Sequence, residues 1–289
     1  MSEFRRRLMM QSKADNPILK DYLTIVSLED GLTAKLSTNA CEYCVDGDGV
    51  WKTLPANTDT EPINAGQTLS FRGNLTPASN VGIGTFTINK YHNLKGNCMS
   101  MLFADDGKHN FSLDGKNYAF WRLFYNCKKV VNALELLLSA TTLSDWCYLN
   151  MFKGCISLIT IPKLPAKALA HYCYSGMFYG CSSLAYAQEL PATSLAYSCY
   201  GEMFRACTSL IVAPELKSTK LVGECYRYMF NGCSNLNYIK ALFTNEISSA
   251  LSNWVNGVST IGTFIKSKNA TWDVVGVNGV PEGWTVITE

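Results

Sequence analysis

The sequence predicts an α+β chain: a small antiparallel β-sandwich module, then a solenoid of 26-residue units, each a short helix plus a short strand, closed by capping ends. Three observations carry that class. Cys147, Cys173, Cys199 and Cys225 recur every 26 residues, as do Cys155, Cys181, Cys207 and Cys233. Met151, Phe152 and Leu158 keep the same interval through three further copies each, ending at Met229, Phe230 and Leu236. A fixed period of this size marks units that cannot bury their apolar side alone and stack on their neighbours. Upstream of the repeats, short runs that alternate apolar and polar residues are punctuated by Gly, Asn, Asp and Pro, as in antiparallel sheets.

The elements follow in chain order. Residues 1–20 form an arm, "MSEFRRRLMMQSKADN" and its continuation, in which Arg5, Arg6 and Arg7 are flanked by Phe4 and Leu8. The start falls short of the ~7 to 15 residue apolar run of a secretory signal, so no export signal is read there. A basic and apolar mix of this kind suits docking in an acidic groove of a partner, ordering only on contact. Residues 21–104 form the β-rich module, with the runs "YLTIVSL", "LTAKLS", "VWKTL", "QTLSF" and "GTFTIN" as its strands. Within it "DGDGVW" reads as a hairpin turn, since the later ligands of a calcium loop are missing. Cys41 and Cys44 form a C-x-x-C in strand-like surroundings, without the strand-to-helix setting of a redox pair.

Residues 105–240 are the repeat region. Its first unit is irregular, because Phe124 and Cys127 precede Phe152 and Cys155 by 28 residues. Within a unit, Cys173, Tyr174, Met177, Phe178 and Cys181 fall at i, i+1, i+4, i+5 and i+8, which places them on one side of a two-turn helix. Gly154, Gly180 and Gly232 precede the second cysteine, but Ala206 stands there in one unit, so the position is read as needing a small side chain rather than a left-handed turn. Residues 241–289 supply the C-terminal cap, with Trp254, Phe264 and Trp284 covering the last unit.

Twelve cysteines raise the question of chemistry. Paired ligands of zinc sites lie two to four residues apart, whereas these pairs are eight apart. A disulfide between i and i+8 on one helical face would span about 12 Å, beyond the ~7 Å Cα limit. The cysteines are therefore read as buried core thiols behaving as small hydrophobes. His92, His109 and His171 have no partner at a recognisable spacing, and no phosphate-cradling loop or G-x-S-x-G motif is present. No catalytic residue, metal ligand or cofactor is assigned. The net charge of +2 gives no reason to assign nucleic acid as a partner. No run approaches the roughly 18 apolar residues of a membrane span.

Binding is better served. Positions that change from unit to unit while the apolar ladder stays fixed are read as outward-facing: Lys153, Tyr179, Arg205 and Asn231 in one column, Thr160, Tyr186, Val212 and Tyr238 in another. Tyr179, Tyr186, Arg205 and Tyr238 are the candidate ligand-binding residues, since tyrosine offers large contact area and a polar tip at low entropic cost.

The units "MFKGCISLITIPKLPAKALAHYCY", "MFYGCSSLAYAQELPATSLAYSCY" and "MFRACTSLIVAPELKSTKLVGECY" resemble the BspA-like branch of the leucine-rich-repeat proteins, found in gut anaerobes and their prophages. The tail from "NWVNGVSTIG" is similar to the segment that closes many of them, and the module at 22–104 to one that often precedes the repeats. The resemblance implies adhesion or recognition without enzymatic activity. "EFRRRLMM" resembles an N-terminal segment of proteins of phages that infect such bacteria. That implies a virion-associated fibre or decoration protein, held to a virion protein through Phe4, Arg5, Arg6, Arg7 and Leu8 and binding a host surface protein or glycan. A bacterial cell-surface adhesin is the alternative, and self-association into a homo-oligomer is compatible with both.

Overall fold

The computed structural model describes residues 21–245 and 249–289. Among the described residues seven strands come first: β1 (Leu23–Ser27), β2 (Ala34–Leu36), β3 (Cys41–Val45), β4 (Lys52–Leu54), β5 (Thr68–Arg72), β6 (Phe86–Ile88) and β7 (His92–Asn97). A four-residue helix α1 (Ser100–Phe103), a 3-10 turn (Ala104–His109) and strand β8 (Val130–Leu137) follow, and β9 (Tyr238–Ala241), β10 (Thr263–Lys266) and β11 (Thr285–Thr288) close the chain.

The main sheet runs β4-β3-β5-β1-β7-β8. Its first five strands pair antiparallel, and β7 pairs parallel with β8. The alternation in β1 puts Leu23 and Ile25 on one face, against Phe71, Leu69 and Leu94 of the flanking strands, all buried. Residues 46–51 link β3 to β4, and Asp48 accepts the Val50 amide at 2.8 Å, so "DGDGVW" is a hairpin connection.

The repeats do not contain helices. About 4% of the structure is helical, and none of it falls among the described residues from 110 onwards. Tyr172, Gly176 and Gly180 have φ of 54°, 58° and 74°, and the matching residues of the other units repeat this, for example Trp146, Asn150 and Gly154 at 58°, 56° and 80°. A left-handed residue at every fourth position is incompatible with a right-handed helix.

The backbone accounting shows what replaces it. Every second amide closes a local turn, as Met177 N–H to Tyr174 O at 3.2 Å and Tyr179 N–H to Gly176 O at 3.1 Å. The amides between them reach the next unit: Tyr174 to Cys199 O at 3.0 Å, Gly176 to Gly201 O at 2.8 Å, Phe178 to Met203 O at 2.9 Å. The result is a ribbon of successive turns with a four-residue period. Over nine residues that period and the 3.6 of a helix bury the same set, which is why the apolar spacing read as helical.

The structure therefore corrects the α+β class and the leucine-rich-repeat solenoid with a helix in each unit: the chain is mostly sheet. It also corrects the reading of Ala206, whose φ of 58° matches those of Gly154, Gly180 and Gly232 at 80°, 74° and 77°. The left-handed conformation is the demand of that position.

On the other side of each unit, parallel bridges join Asn132 to Thr160, Tyr186 to Val212 and Val212 to Tyr238, and the series continues into the parallel strands β9, β10 and β11. Between ribbon and bridges, rings stack on their copies. Phe124, Phe152, Phe178, Phe204 and Phe230 have successive centroids 5.3, 5.7, 5.7 and 6.0 Å apart. At the C-terminal end Trp254, Phe264 and Trp284 are buried, and the Trp254 indole donates to Gly279 O at 2.9 Å.

Candidate binding surface

Every cysteine of the chain is buried and free. The second-position thiols are not bare hydrophobes: Cys155, Cys181, Cys207 and Cys233 donate to Phe124 O, Phe152 O, Phe178 O and Phe204 O at 3.1, 3.2, 3.1 and 3.0 Å. Each bond crosses to the preceding unit. Burial pushes these thiols up, Cys233 to about 12, which keeps them protonated and poor nucleophiles. Cys41 and Cys44 lie in β3, and Cys41 is likewise pushed up to about 12 by burial. Among the described residues no group of three His, Cys, Asp or Glu side chains converges as metal ligands would.

One buried pair was illegible from spacing. His92 Nε2 lies 3.6 Å from Cys127 Sγ, while Nδ1 lies 2.8 Å from Lys90 O. With Nδ1 donating to that carbonyl, Nε2 is left to accept from the thiol. Burial lowers the imidazole to about 4 and raises the thiol to about 12, so both are neutral at pH 7. The pair ties β7 to the loop before β8. An open hollow of about 270 Å³ lies on the module beside Glu42, Thr53, Asn74 and Leu75. Glu42 is committed to Arg72, whose Nε is 2.8 Å away, so no free acid–base pair faces it.

The outward columns hold the candidate ligand-binding residues. Tyr179 sits between two cations, with Lys153 Nζ 4.1 Å and the Arg205 guanidinium 5.2 Å from its ring centre. Arg205 also lies 5.0 Å from the Tyr228 ring, and Arg227 sits at the same distance from that ring. Cations and rings thus alternate as Lys153, Tyr179, Arg205, Tyr228, Arg227 along the ribbon. Glu202 and Glu224 approach Arg205 and Arg227 at 3.5 and 3.2 Å. Tyr186 and Tyr238 stand apart from these, on the bridged side, joined through Val212; Tyr186 is 65% exposed. The structure brings Tyr179 and Arg205 together, and aligns Tyr186 with Tyr238, as two separate columns. Phe4, Arg5, Arg6, Arg7 and Leu8 lie outside the described residues.

A third column escaped the sequence reading. Tyr118 stacks on Trp146 with centroids 4.9 Å apart, Trp146 on Tyr172 at 6.0 Å, and Tyr172 meets Tyr197 edge-on at 5.4 Å. All four are half-buried. Nearby, the Arg122 guanidinium lies 4.4 Å from the Trp121 ring and 4.8 Å from that of Tyr125. The signal was present as aromatics at 118, 146 and 172, obscured because the first interval is 28 and the fourth member is displaced by one position to Tyr197.

The arrangement can hold a ligand by cations, ring edges and hydroxyls on a stiff frame. Compared with protein-family models, with curated proteins and with solved structures, the chain matches none of the three kinds.

Proposed function

We propose that the chain is a non-enzymatic recognition protein, a virion-associated fibre or decoration protein that displays its turn-ribbon and bridged columns to a host surface protein or glycan. One observation carries the reading: the buried Cys, Tyr, Met, Phe, Cys and Leu positions repeat residue for residue through four units, whereas the outward column Lys153, Tyr179, Arg205, Asn231 differs in every unit. A frame that holds its units together by backbone hydrogen bonds can vary its outer side chains freely, which is the requirement of a recognition surface. Thiols held protonated and a histidine held neutral in the core support binding over catalysis. The anchoring role assigned to Phe4–Leu8 rests on their basic and apolar character and on the likeness stated above. No helix among the described residues is long and apolar enough to cross a membrane.

The test is co-sedimentation of the full chain with assembled phage particles, with and without residues 2–12. Incorporation lost on deletion, with the melting temperature unchanged, is the expected result. Recovery on bacterial cell envelopes instead of particles would favour the adhesin reading, and binding to neither would overturn the proposal.

A further inference from the structure

We propose, resting on the recognition reading, that the column Tyr125, Lys153, Tyr179, Arg205 is a track for a linear acidic polysaccharide lying along the stack, with the carboxylate of every second sugar meeting a cation. The column alternates ring and cation from one unit to the next. Neighbouring units are joined by backbone hydrogen bonds, so two unit steps from Lys153 to Arg205 cover about 10 Å, twice the spacing of adjacent strands. Tyr179 fixes both cationic heads, at 4.1 and 5.2 Å from its ring. Among the ion pairs of the described residues, neither Lys153 nor the neighbouring Arg122 has an acidic partner, and Glu202 reaches Arg205 only at 3.5 Å. That leaves positive charge along the track for an anionic chain to neutralise.

The same geometry selects among anionic chains. Bases of single-stranded nucleic acid bind by stacking on free ring faces, but Tyr179 already holds Lys153 Nζ 4.1 Å and the Arg205 guanidinium 5.2 Å from its ring centre, so a base must compete with these cations for the ring, whereas sugar hydroxyls can use the tyrosine hydroxyl. An extended acidic peptide presents side chains on one face about 7 Å apart, out of step with a repeat of about 10 Å. A polysaccharide with one uronic acid in each disaccharide presents one carboxylate for every two rings, which is the alternation of this column.

The experiment measures binding of the full chain, at physiological salt, to octasaccharides of hyaluronan, chondroitin sulfate and heparosan, each with one uronic acid per disaccharide. Carboxyl-reduced hyaluronan, a 20-mer of thymidylate and poly-L-glutamate serve as competitors of other classes. At least one acidic octasaccharide is expected to bind and the reduced form not to. Lys153→Gln and Arg205→Gln should each weaken binding roughly fivefold, the scale of one exposed ion pair. Glu202→Gln, which frees Arg205, should tighten it. Failure of all three octasaccharides, binding indifferent to Lys153→Gln and Arg205→Gln, or equal binding of thymidylate or polyglutamate would each overturn the assignment. Particle-borne attachment to host cells separates the two proposals. Attachment lost in Lys153→Gln/Arg205→Gln without any octasaccharide binding leaves recognition standing with a different ligand. Attachment absent in the unsubstituted chain removes the recognition reading itself.

Discussion

The N-terminal module and the repeated ribbon bury polar groups in opposite ways. In the module, unlike groups meet: Thr24 and Ser70 share a hydroxyl–hydroxyl bond of 2.9 Å, and Ser100 donates to Phe71 O at 2.9 Å while accepting the Leu23 amide at 3.0 Å. In the repeats, each side chain meets its own copy. Copies suit rings, which stack, and thiols, whose acceptor is a backbone carbonyl present in every unit. They do not suit hydroxyls: Tyr148, Tyr174 and Tyr200 are stacked at 5.6 and 5.9 Å, yet their buried hydroxyl oxygens have no partner. Repetition gives apolar groups a match in every unit and leaves a polar group dependent on whatever lies outside the series.

The largest test of this contrast is removal of a ring from each region. Phe178→Ala leaves a gap between Phe152 and Phe204 and should cost about 3 to 5 kcal/mol in urea unfolding, the range for a buried phenylalanine. Phe71→Ala in the module should fall in the same range. A loss under about 2 kcal/mol at 178 alone would mean that adjacent units close over the gap, so that the stack is softer than the sheet.

The next test is acid. The folded pKa of His92, about 4, lies below its unfolded value of about 6.5, so between those limits the unfolded chain binds more protons. Stability present above pH 6.5 is therefore lost as pH falls towards 4, by about 3 kcal/mol. Denaturation midpoints across that window should slope steeply for the unsubstituted chain and much less for His92→Gln, which is less stable at pH 7 but indifferent to this titration. Equal slopes in both would show that the imidazole is not held neutral against Cys127.

Tyr174→Phe should reverse the usual sign of a core substitution. It removes a buried hydroxyl without a partner and keeps the ring, so a gain of about 1 to 2 kcal/mol is expected. Ser100→Ala, its counterpart in the module, should lose a similar amount because the Leu23 amide and Phe71 carbonyl are left unpaired. A destabilised Tyr174→Phe would show that the tyrosine column has hydrogen-bond partners in solution and would end the contrast between the regions.

Legibility follows the same division. The runs "YLTIVSL" and "GTFTIN" contain β1 and β6, and "QTLSF" covers β5 up to its last residue, because a period of two survives in a few residues. The 26-residue interval correctly identified Cys181, Met177, Phe178 and Leu184 as buried, since a stacked position tolerates little change. It did not reveal the conformation, because the set i, i+1, i+4, i+5, i+8 suits a helix and a four-residue ribbon alike. Nor could it show His92 beside Cys127, which are 35 residues apart and belong to the junction rather than the repeat. The columns of variable residues were legible as columns. That Lys153 and Arg205 enclose Tyr179 was not, because it depends on the step between units, which the ribbon sets.

The smallest effect decides what the position before the second cysteine requires. A demand for small size predicts that Ala and Gly are interchangeable there, whereas a demand for positive φ predicts that Gly is better in every unit. A methyl group built on Gly180 would meet nothing closer than Gly154 Cα at 3.8 Å, so space is not the obstacle. Ala206→Gly relieves a left-handed alanine, a strain of roughly 1 to 2 kcal/mol, against the ~0.5 to 1 kcal/mol that glycine loses in chain entropy. The net gain should be about 0.5 kcal/mol, and Gly180→Ala should lose about as much. Measured together by urea midpoint, opposite signs at the two sites confirm the left-handed requirement. Two losses would mean that each unit has adapted to its own residue, and the ribbon would then be less uniform than its hydrogen bonds make it.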